Sequence, residues 1–272
     1  MLDWGVPRLR DLPWRRTRDP WAVLVSEVML QQTQVSRVIP RWHAFLDAFP
    51  DTAACAVAPL GDVLREWQGL GYPRRARNLH AAATEVERRG AFPTTLEELL
   101  SLPGVGHYTA RALLAFAFEI DAAVVDTNIA RVHARHAGRR LTPREVQARA
   151  DDWAPAGQAW EWNQCIMDLG ALLCRPSAPQ CDECPLHRTC AWRGRGDDPA
   201  TGSAGVSRPQ SRFEGSDRQA RGRLMKALSA GSVELAAIGE VMHRDAEHAQ
   251  RLLDALVTEG LVVVAGSVAR LP

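Results

Sequence analysis

The chain of 272 residues has room for one large domain and one small domain. Its apolar content of 46% and charged content of 24% are typical of a globular protein, and its formal net charge of +1 gives no general sign of nucleic-acid binding. Any affinity for DNA must therefore come from the local placement of charge. No apolar run is as long as a membrane span.

Apolar residues recur at spacings of three and four, which predicts helices joined by short loops, with almost no strand signal before residue 190. Thr33 is the expected N-cap of the second helix, and Thr95 with Glu98 forms a capping box. Pro73 suits the first turn of a helix that Gly90 ends. The predicted helices are Trp21–Leu30, Gln34–Phe49, Leu60–Trp67, Pro73–Arg89, Leu96–Ser101, His107–Phe118, Asn128–His136, Pro143–Trp153 and Gln158–Leu173.

The composition changes near residue 193, where Gly, Pro, Ser and Arg without periodicity predict a flexible linker as far as residue 215. Beyond it, amphipathic stretches over 217–228, 233–242 and 246–259 precede a hairpin pattern over 261–271. Three helices and a small hairpin are the outline of a winged-helix unit. Such units bind DNA or serve as docking modules, and the residues favour neither role.

Residues 102–110 join two predicted helices through a glycine turn, Leu-Pro-Gly-Val-Gly-His-Tyr-Thr-Ala. Gly104 and Gly106 can adopt backbone angles closed to other residues and let a phosphate approach. The amides and the dipole at the start of the following helix then favour that anion. The segment is predicted to grip a DNA backbone without reading its sequence, although a tight turn between helices uses the same glycines.

Two carboxylates interrupt apolar sequence. Asp126 ends the stretch Ala122–Val125 where a new helix begins, so an N-cap is the structural alternative to a catalytic role. Glu27 lies within Val25–Thr33, on the helix side expected to face inward. A buried glutamate is costly unless it is paired, so it is either satisfied structurally or kept for proton transfer.

Four cysteines form a C-x6-C-x2-C-x5-C run after an apolar helix: Cys174, Cys181, Cys184 and Cys190. Four thiolates on a short loop containing prolines can surround a tetrahedral zinc ion or a [4Fe–4S] cluster. Only one step is a C-x2-C, which favours the [4Fe–4S] cluster over zinc. Cys55 and Cys165 stand alone in apolar helical patterns and are predicted to be buried thiols.

These segments resemble the endonuclease III superfamily of DNA glycosylases and, within it, the MutY-type adenine glycosylases of A/G mismatches. The resemblance covers about residues 10–192 and implies an all-α, two-lobed helix-hairpin-helix fold. It implies a six-helix barrel over 22–125 and an iron–sulfur lobe of 1–21 and 126–192. The linker 193–215 and the winged-helix-like unit 216–272, predicted from composition and periodicity, lie beyond it. The motifs that carry it are Leu12–Arg15, Ser26–Gln34, Trp67–Tyr72, Arg77–His80, Leu102–Gly106, Val125–Asn128, Asn163–Gln164, Met167–Gly170 and the four-cysteine run.

The resemblance implies which side chains carry the chemistry. Glu27 corresponds to the general acid that protonates adenine, and Asp126 to the carboxylate that stabilises the cationic sugar. Asn128 corresponds to a residue that positions the sugar or the attacking water. Tyr108 stands where bifunctional relatives have a lysine that forms a Schiff base. Since Lys226 is the only lysine of the chain, the resemblance implies a monofunctional glycosylase.

Other matched side chains are expected to contact double-stranded DNA that carries a mismatch. Gln32 corresponds to the residue that enters the duplex when adenine is flipped out, and Tyr72 belongs to a motif beside it. Arg15 and Gln164 correspond to residues that contact the flipped base. The cluster is expected to order a basic loop against phosphate. The resemblance further implies a monomer located in the bacterial cytoplasm and associated with the nucleoid.

Two features depart from the family. Pro73 replaces the second tyrosine of the Gly-Leu-Gly-Tyr-Tyr motif, and residues 193–272 do not resemble the Nudix-like domain that recognises 8-oxoguanine. The expected activity is removal of adenine mispaired with guanine or 8-oxoguanine. A thymine or uracil glycosylase acting on G·T or G·U pairs is the alternative. A non-catalytic iron–sulfur DNA-binding regulator is the second alternative, although such a regulator needs no internal carboxylate pair.

Overall fold

The computed structural model describes residues 1–206 and 212–272, and it is helical over most of this length. In chain order the helices are α1 Leu2–Gly5, α2 Pro20–Leu30, α3 Val35–Ala48, α4 Thr52–Val57, α5 Leu60–Glu66, α6 Arg74–Arg89, α7 Leu96–Leu100, α8 His107–Phe116, α9 Thr127–Ala137, α10 Pro143–Trp153, α11 Ala159–Leu172, α12 Asp217–Ala230, α13 Ile238–Met242 and α14 Ala246–Thr258. The strands are β1 Val233–Glu234, β2 Val263–Ala265 and β3 Val268–Arg270. The prediction of an all-α fold is confirmed. None of these helices is long and apolar enough to cross a membrane.

The helices predicted before residue 174 are present, with ends displaced by one or two residues at most. Gly90, with a φ of 76°, ends α6 as predicted. The prediction for Thr33 is wrong, because Gln34 is the N-cap of α3 and the Thr33 hydroxyl instead accepts a hydrogen bond from Arg75 at 3.2 Å. Helix α4 was not predicted. It is short, and its N-cap is Asp51, whose side chain accepts a hydrogen bond from the Ala54 amide at 2.7 Å.

The chain divides into two compact units. Unit 1 contains residues 1–23, 94–100 and 105–206, and unit 2 contains residues 24–93, 101–104 and 212–272. These unit boundaries differ from those of the two lobes inferred from the resemblance. The two lobes remain a prediction.

In unit 1, α9 and α11 pack together through buried aliphatic side chains, among them Ile129, Val132, Ile166 and Leu169. The stretch after the cysteine run also packs in unit 1 and differs from the flexible linker that was predicted. Ala200 is buried against Leu141, and Ser203 accepts the Leu141 amide at 3.0 Å. Residues 207–211 of the predicted linker lie outside the described residues.

In unit 2, the core includes Met29, Phe45 and Trp67, each 2% exposed or less. The C-terminal residues of this unit fold as α12–α14 with a three-stranded antiparallel sheet in the order β1–β3–β2. Ala269 of β3 lies opposite Val233 on one side and Val264 on the other. The three predicted helical stretches and the hairpin are present, with β1 as a strand that the sequence did not indicate.

Candidate active site and cysteine loop

Asp126 lies where a buried irregular stretch becomes α9. Asn163 of α11 holds this stretch, since its Oδ1 accepts the Val124 amide at 2.8 Å and its Nδ2 donates to the Ala122 carbonyl at 2.9 Å. Asp126 then accepts the Ile129 amide at 2.7 Å as the N-cap of α9. The N-cap alternative is therefore confirmed, and it uses only one of the two carboxylate oxygens.

Asn128 and Arg131 extend this contact into a polar network within unit 1. Asn128 Nδ2 donates to the second Asp126 oxygen at 2.8 Å, and Asn128 Oδ1 accepts from Arg131 at 2.8 Å. Arg131 is 3% exposed and also donates to the carbonyls of Gly170 at 2.6 Å and Cys174 at 2.7 Å. A Cβ atom on Gly170 would lie 2.6 Å from that of Asn128, so only glycine lets α11 approach this closely. The network fixes the Asp126 and Asn128 side chains and connects them to the first cysteine of the run.

Burial raises the pKa of Asp126 above its ordinary value of 3.8, against the lowering effects of the Ile129 amide, the Asn128 side chain and the Arg131 charge. Burial also lowers the pKa of the Arg131 guanidinium. Arg131 is linked to Asp126 by two hydrogen bonds through the Asn128 side chain, one from Arg131 to Asn128 and one from Asn128 to Asp126. A carboxylate in such a place gains interaction energy if a cation develops beside it.

Glu27 of α2 is 4% exposed, between Ser26 at 0% and Val28 at 6%. The expectation that this glutamate faces inward is confirmed. Glu27 belongs to unit 2 and Asp126 to unit 1. Their catalytic roles remain predictions.

The glycine turn before α8 requires its first glycine for two reasons. Gly104 has a φ of 77°, and a Cβ atom on it would lie 2.7 Å from the Asn78 Cβ. Gly106 is the N-cap of α8, and a Cβ atom on it would meet nothing within 4 Å. Tyr108 is the second residue of α8 and is half-buried. The first amides of α8 thus follow a cap without a side chain, which suits close approach of an anion.

Arg15 and Gln164 are both buried in unit 1, at 8% and 5% exposure. Arg15 donates to the two oxygens of Asp168 at 2.8 and 2.9 Å, and the Arg10 side chain donates to the same carboxylate at 2.7 Å. Burial raises the pKa of Asp168, but the hydrogen bonds and charge of Arg15 have the larger combined effect and hold this pKa below its ordinary value of 3.8. The expected contacts of Arg15 and Gln164 with a flipped base remain predictions. Sequence reasoning assigned no role to Asp168, although an aspartate inside an apolar helix was a visible signal.

Gln32 and Tyr72 of unit 2 have positive φ values of 57° and 50°, which are uncommon for residues other than glycine. Arg75 donates to the carbonyl before each of them, that of Gln31 at 2.6 Å and that of Gly71 at 3.1 Å. Sequence reasoning missed Arg75, because an arginine in the first turn of a helix gives no local sign of its partners.

The four cysteines of the run line one cavity in unit 1, together with Arg135, Leu173, Pro179, Gln180, His187, Trp192 and Arg193. Arg135 donates to the Cys174 sulfur at 3.4 Å. Burial, with the other thiols of the run, raises the pKa of Cys184 to about 11. Four thiolates in this cavity would repel one another, so the donor set suits a soft cationic centre. Within residues 1–206 and 212–272, no group of three or more His, Cys, Asp or Glu side chains is already arranged to hold a metal ion.

None of the six cysteines, all of which lie within the described residues, forms a disulfide. Cys55 and Cys165 are each 0% exposed, so the prediction that they are buried thiols is confirmed. Burial raises the pKa of Cys55 to about 12 and that of Cys165 to about 11, which keeps both protonated at neutral pH.

Comparison with known proteins identifies relatives, some of which cover nearly the whole chain. A family model described as HhH-GPD superfamily base excision DNA repair protein matches residues 25–156. An adenine DNA glycosylase of Mycolicibacterium smegmatis is 41% identical over 271 residues, covering 96% of this chain and 91% of the relative. The chain belongs to the HhH-GPD superfamily of base excision DNA repair proteins. The resemblance to its adenine glycosylases is confirmed. A human adenine DNA glycosylase is 40% identical over 212 residues, covering 72% of this chain and 39% of the human protein.

Solved structures of this superfamily show the same fold. A thermostable thymine-DNA glycosylase matches with a TM-score of 0.68 and 29% identity, over 71% of this chain and 93% of that protein. A trapped covalent intermediate of endonuclease III with DNA matches with a TM-score of 0.61 and 25% identity, over the same shares. The mycolicibacterial relative, unlike these two structures, aligns over nearly the whole chain and therefore includes the C-terminal residues.

Proposed function

We propose that the chain is a monofunctional adenine DNA glycosylase that removes adenine mispaired with guanine or 8-oxoguanine. The observation that carries this proposal is the arrangement at the start of α9. There Asp126 is held by the Ile129 amide and by Asn128, and burial raises its pKa. This arrangement lies in a chain that is 41% identical to a named adenine glycosylase over 96% of its length.

In the proposed reaction the carboxyl groups of Glu27 and Asp126 have opposite tasks. Glu27 protonates the adenine, which is a poor leaving group until it carries a proton. Asp126 faces the sugar as its glycosidic bond breaks, and its negative charge stabilises the cation that forms. Asn128, fixed between Asp126 and Arg131, positions the sugar or the attacking water. One carboxyl must be protonated while the other is ionised, an asymmetry that different local environments can maintain.

The product of the proposed reaction is an intact strand with an abasic site. Tyr108 stands where a lyase needs an amine, and a phenol cannot form a Schiff base with the sugar. The only lysine of the chain is Lys226, on α12 in the C-terminal residues. A strand-cleaving lyase step therefore has no lysine amine in residues 1–225.

We also propose that Cys174, Cys181, Cys184 and Cys190 hold a [4Fe–4S] cluster. The residues fit this group because four soft donors line one cavity and because burial of Cys184 disfavours an uncompensated thiolate there. When bound, the cluster would cross-link the loop 174–190 and supply order rather than electron transfer. The exposed Arg193 donates to the carbonyls of Cys190 and Arg188, so the ordered loop presents basic side chains to phosphate.

The proposed partner is double-stranded DNA with a mismatch, bound by a monomer. A thymine or uracil glycosylase remains the alternative, since a thymine-DNA glycosylase shares the fold at 29% identity. The adenine glycosylases are favoured because their identity is higher and extends through the C-terminal residues. A non-catalytic regulator is disfavoured by the buried Glu27 and the fixed Asp126.

The function is tested by single-turnover base release from duplexes that contain A·8-oxoguanine, A·G or T·G. Release of adenine from the first two, with no thymine from the third, is expected. Borohydride should trap little covalent complex, including in a chain whose N-terminal amine is blocked. Release of thymine alone would replace the proposal with its alternative, and efficient trapping would contradict the monofunctional assignment.

The cluster is tested by its iron content and visible absorption after anaerobic purification. We expect about four irons per chain. Cys184→Ser should lose iron, whereas Cys55→Ser, which changes a buried cysteine outside the run, should keep it. Stoichiometric zinc without iron would contradict the proposed cofactor.

A further inference from the structure

Arg75 lies between two loops of unit 2 that carry proposed DNA contacts. Its Nη1 donates to the carbonyls of Val28 at 2.8 Å and Gln31 at 2.6 Å, at the end of α2 where carbonyls lack partners within the helix. Its Nη2 donates to the carbonyls of Leu70 at 3.0 Å and Gly71 at 3.1 Å. One guanidinium therefore fixes the backbone that leads into Gln32 and the backbone that leads into Tyr72.

Tyr72 is contacted by two arginines from different parts of unit 2. The guanidinium carbon of Arg75 lies 5.5 Å from the centroid of the Tyr72 ring, within the range of a cation–π interaction. Arg218 of α12 donates to the Tyr72 hydroxyl at 3.0 Å, and its own guanidinium lies 5.3 Å from the Phe213 ring. Arg218 belongs to the C-terminal winged-helix-like unit. The winged-helix-like unit therefore contacts Tyr72, a residue of the proposed DNA-binding surface.

The winged-helix-like unit is fixed to neighbouring segments of unit 2 by the buried carboxylate of Glu259 and by its C-terminal end. Glu259, just after α14, is 7% exposed and pairs with Arg221 at 2.8 Å and with Arg74 of α6 at 2.7 Å. Burial raises the pKa of Glu259, but the hydrogen bonds from Arg221 and Arg74 have the larger combined effect and lower this pKa to about 2. The Gly61 amide donates to the Pro272 carbonyl at 3.1 Å. These attachments hold α12, and with it Arg218, in place.

The exposed face of α14 does not have the charge expected of a helix that reads DNA. Its exposed residues include Glu247, Gln250, Arg251 and Asp254, so acidic side chains outnumber basic ones among them. A helix that enters a groove between phosphates is normally basic. The side of the unit that faces Tyr72 is therefore better suited to act on the substrate site than α14 is.

We propose that the C-terminal unit acts on the substrate site through Tyr72, with Arg218 as a positioning residue that locks the tyrosine side chain. This inference rests on the proposed function, in which Tyr72 contacts the mismatched duplex. A side chain that is already fixed loses less conformational freedom when the duplex binds, which favours the correct complex. Arg218 is occupied by Tyr72 and Phe213, so its effect does not depend on phosphate charge.

The test measures the affinities of the full chain for an A·G duplex and for a fully paired A·T duplex at several salt concentrations. Arg218→Met and Tyr72→Phe each remove the hydrogen bond, and each should lower the preference for the mismatched duplex about three- to tenfold. The double variant should lose no more than either single variant, because both changes remove the same interaction. The salt dependence should be unchanged, and Arg218→Lys, which keeps a donor, should recover part of the preference.

Arg223→Met is the matched control, since Arg223 lies on the same helix and donates only weakly, to the Met242 carbonyl at 3.4 Å. It should leave the preference unchanged. Additive losses in the double variant would overturn the inference. So would equal weakening on both duplexes with a salt slope smaller by about one, which is the behaviour of a phosphate contact. Failure of the proposed function is distinguishable, because the wild-type chain would then release no adenine from A·G or A·8-oxoguanine.

Discussion

Unit 1 contains a half-buried aspartate, Asp126, at the N-cap of α9 and a buried aspartate, Asp168, within α11, and the two carboxyl groups have opposite environments. Asp168 is 2% exposed and accepts hydrogen bonds directly from Arg15 and Arg10, and its pKa is lowered. Asp126 accepts from an amide and from Asn128, with Arg131 one residue further along the network, and its pKa is raised. Burial raises the pKa of both carboxyl groups, so the side chains in contact with each one account for the opposite net shifts.

The difference lies in where the positive charge is placed. Asp168 already has its counter-ions in the folded protein, so it anchors the N-terminal segment to α11 and has little to gain from another cation. Asp126 is fixed in position but lacks a guanidinium in direct contact among its described hydrogen bonds. This leaves its charge available to a cation that forms during a reaction, which is the property the proposed mechanism requires.

The largest expected effect tests this reactive role. Asp126→Asn should lower the single-turnover rate of adenine release by about 10²–10⁴-fold, because the charge beside the sugar is lost. The fold should be retained, since asparagine is as good an N-cap as aspartate. The measurement is base release from an A·G duplex, with thermal unfolding followed in parallel.

Asp51→Asn is the control for that variant, because Asp51 caps α4 in the same manner and accepts the Ala54 amide at 2.7 Å. It should leave base release unchanged. A rate for Asp126→Asn within threefold of the wild type would show that Asp126 is an N-cap only.

The next effect tests the structural role of the other carboxylate. Asp168→Asn should lower the free energy of unfolding by about 3–5 kcal/mol, because it leaves the buried Arg15 without its counter-ion. Denaturant unfolding measures this loss. The partly exposed pair Arg111–Asp151 provides the control, with side chains that are 20% and 47% exposed. Asp151→Asn should cost about 1 kcal/mol or less, and equal losses in the two variants would contradict the anchor.

The local features of this fold were predictable from the sequence, and the long-range ones were not. Helix positions followed from apolar spacing, and Gly90 marked the end of α6 because a left-handed residue is needed there. Helix α4 was missed because six residues are too few to show a helical period. The packing of Ala200 and the pairing of Glu259 with Arg74 depend on residues far away in the chain, which composition does not reveal.

The same division applies to the candidate site. Asp126 was predictable because an apolar stretch ends at an aspartate that begins a helix, and the cysteine run was visible from its spacing. The roles of three arginines could not be predicted: Arg75, Arg131 and Arg218. Their acceptors include groups that lie 44, 43 and 146 residues away in the chain, respectively. Chain distance, rather than residue type, set the limit of the prediction.

The smallest expected effect concerns pH and has opposite signs for the two aspartates. The folded pKa of Asp168 is lowered, so its contribution to stability is present above its ordinary value of 3.8 and is lost as pH falls through the lowered value. The folded pKa of Asp126 is raised, so its ionisation makes the folded state less stable as pH rises from 3.8 through the raised value. The difference in unfolding free energy between the wild type and each asparagine variant isolates the carboxyl in question. That difference should grow with rising pH for Asp168→Asn and shrink for Asp126→Asn, and the same sign in both series would contradict the contrast between the two sites.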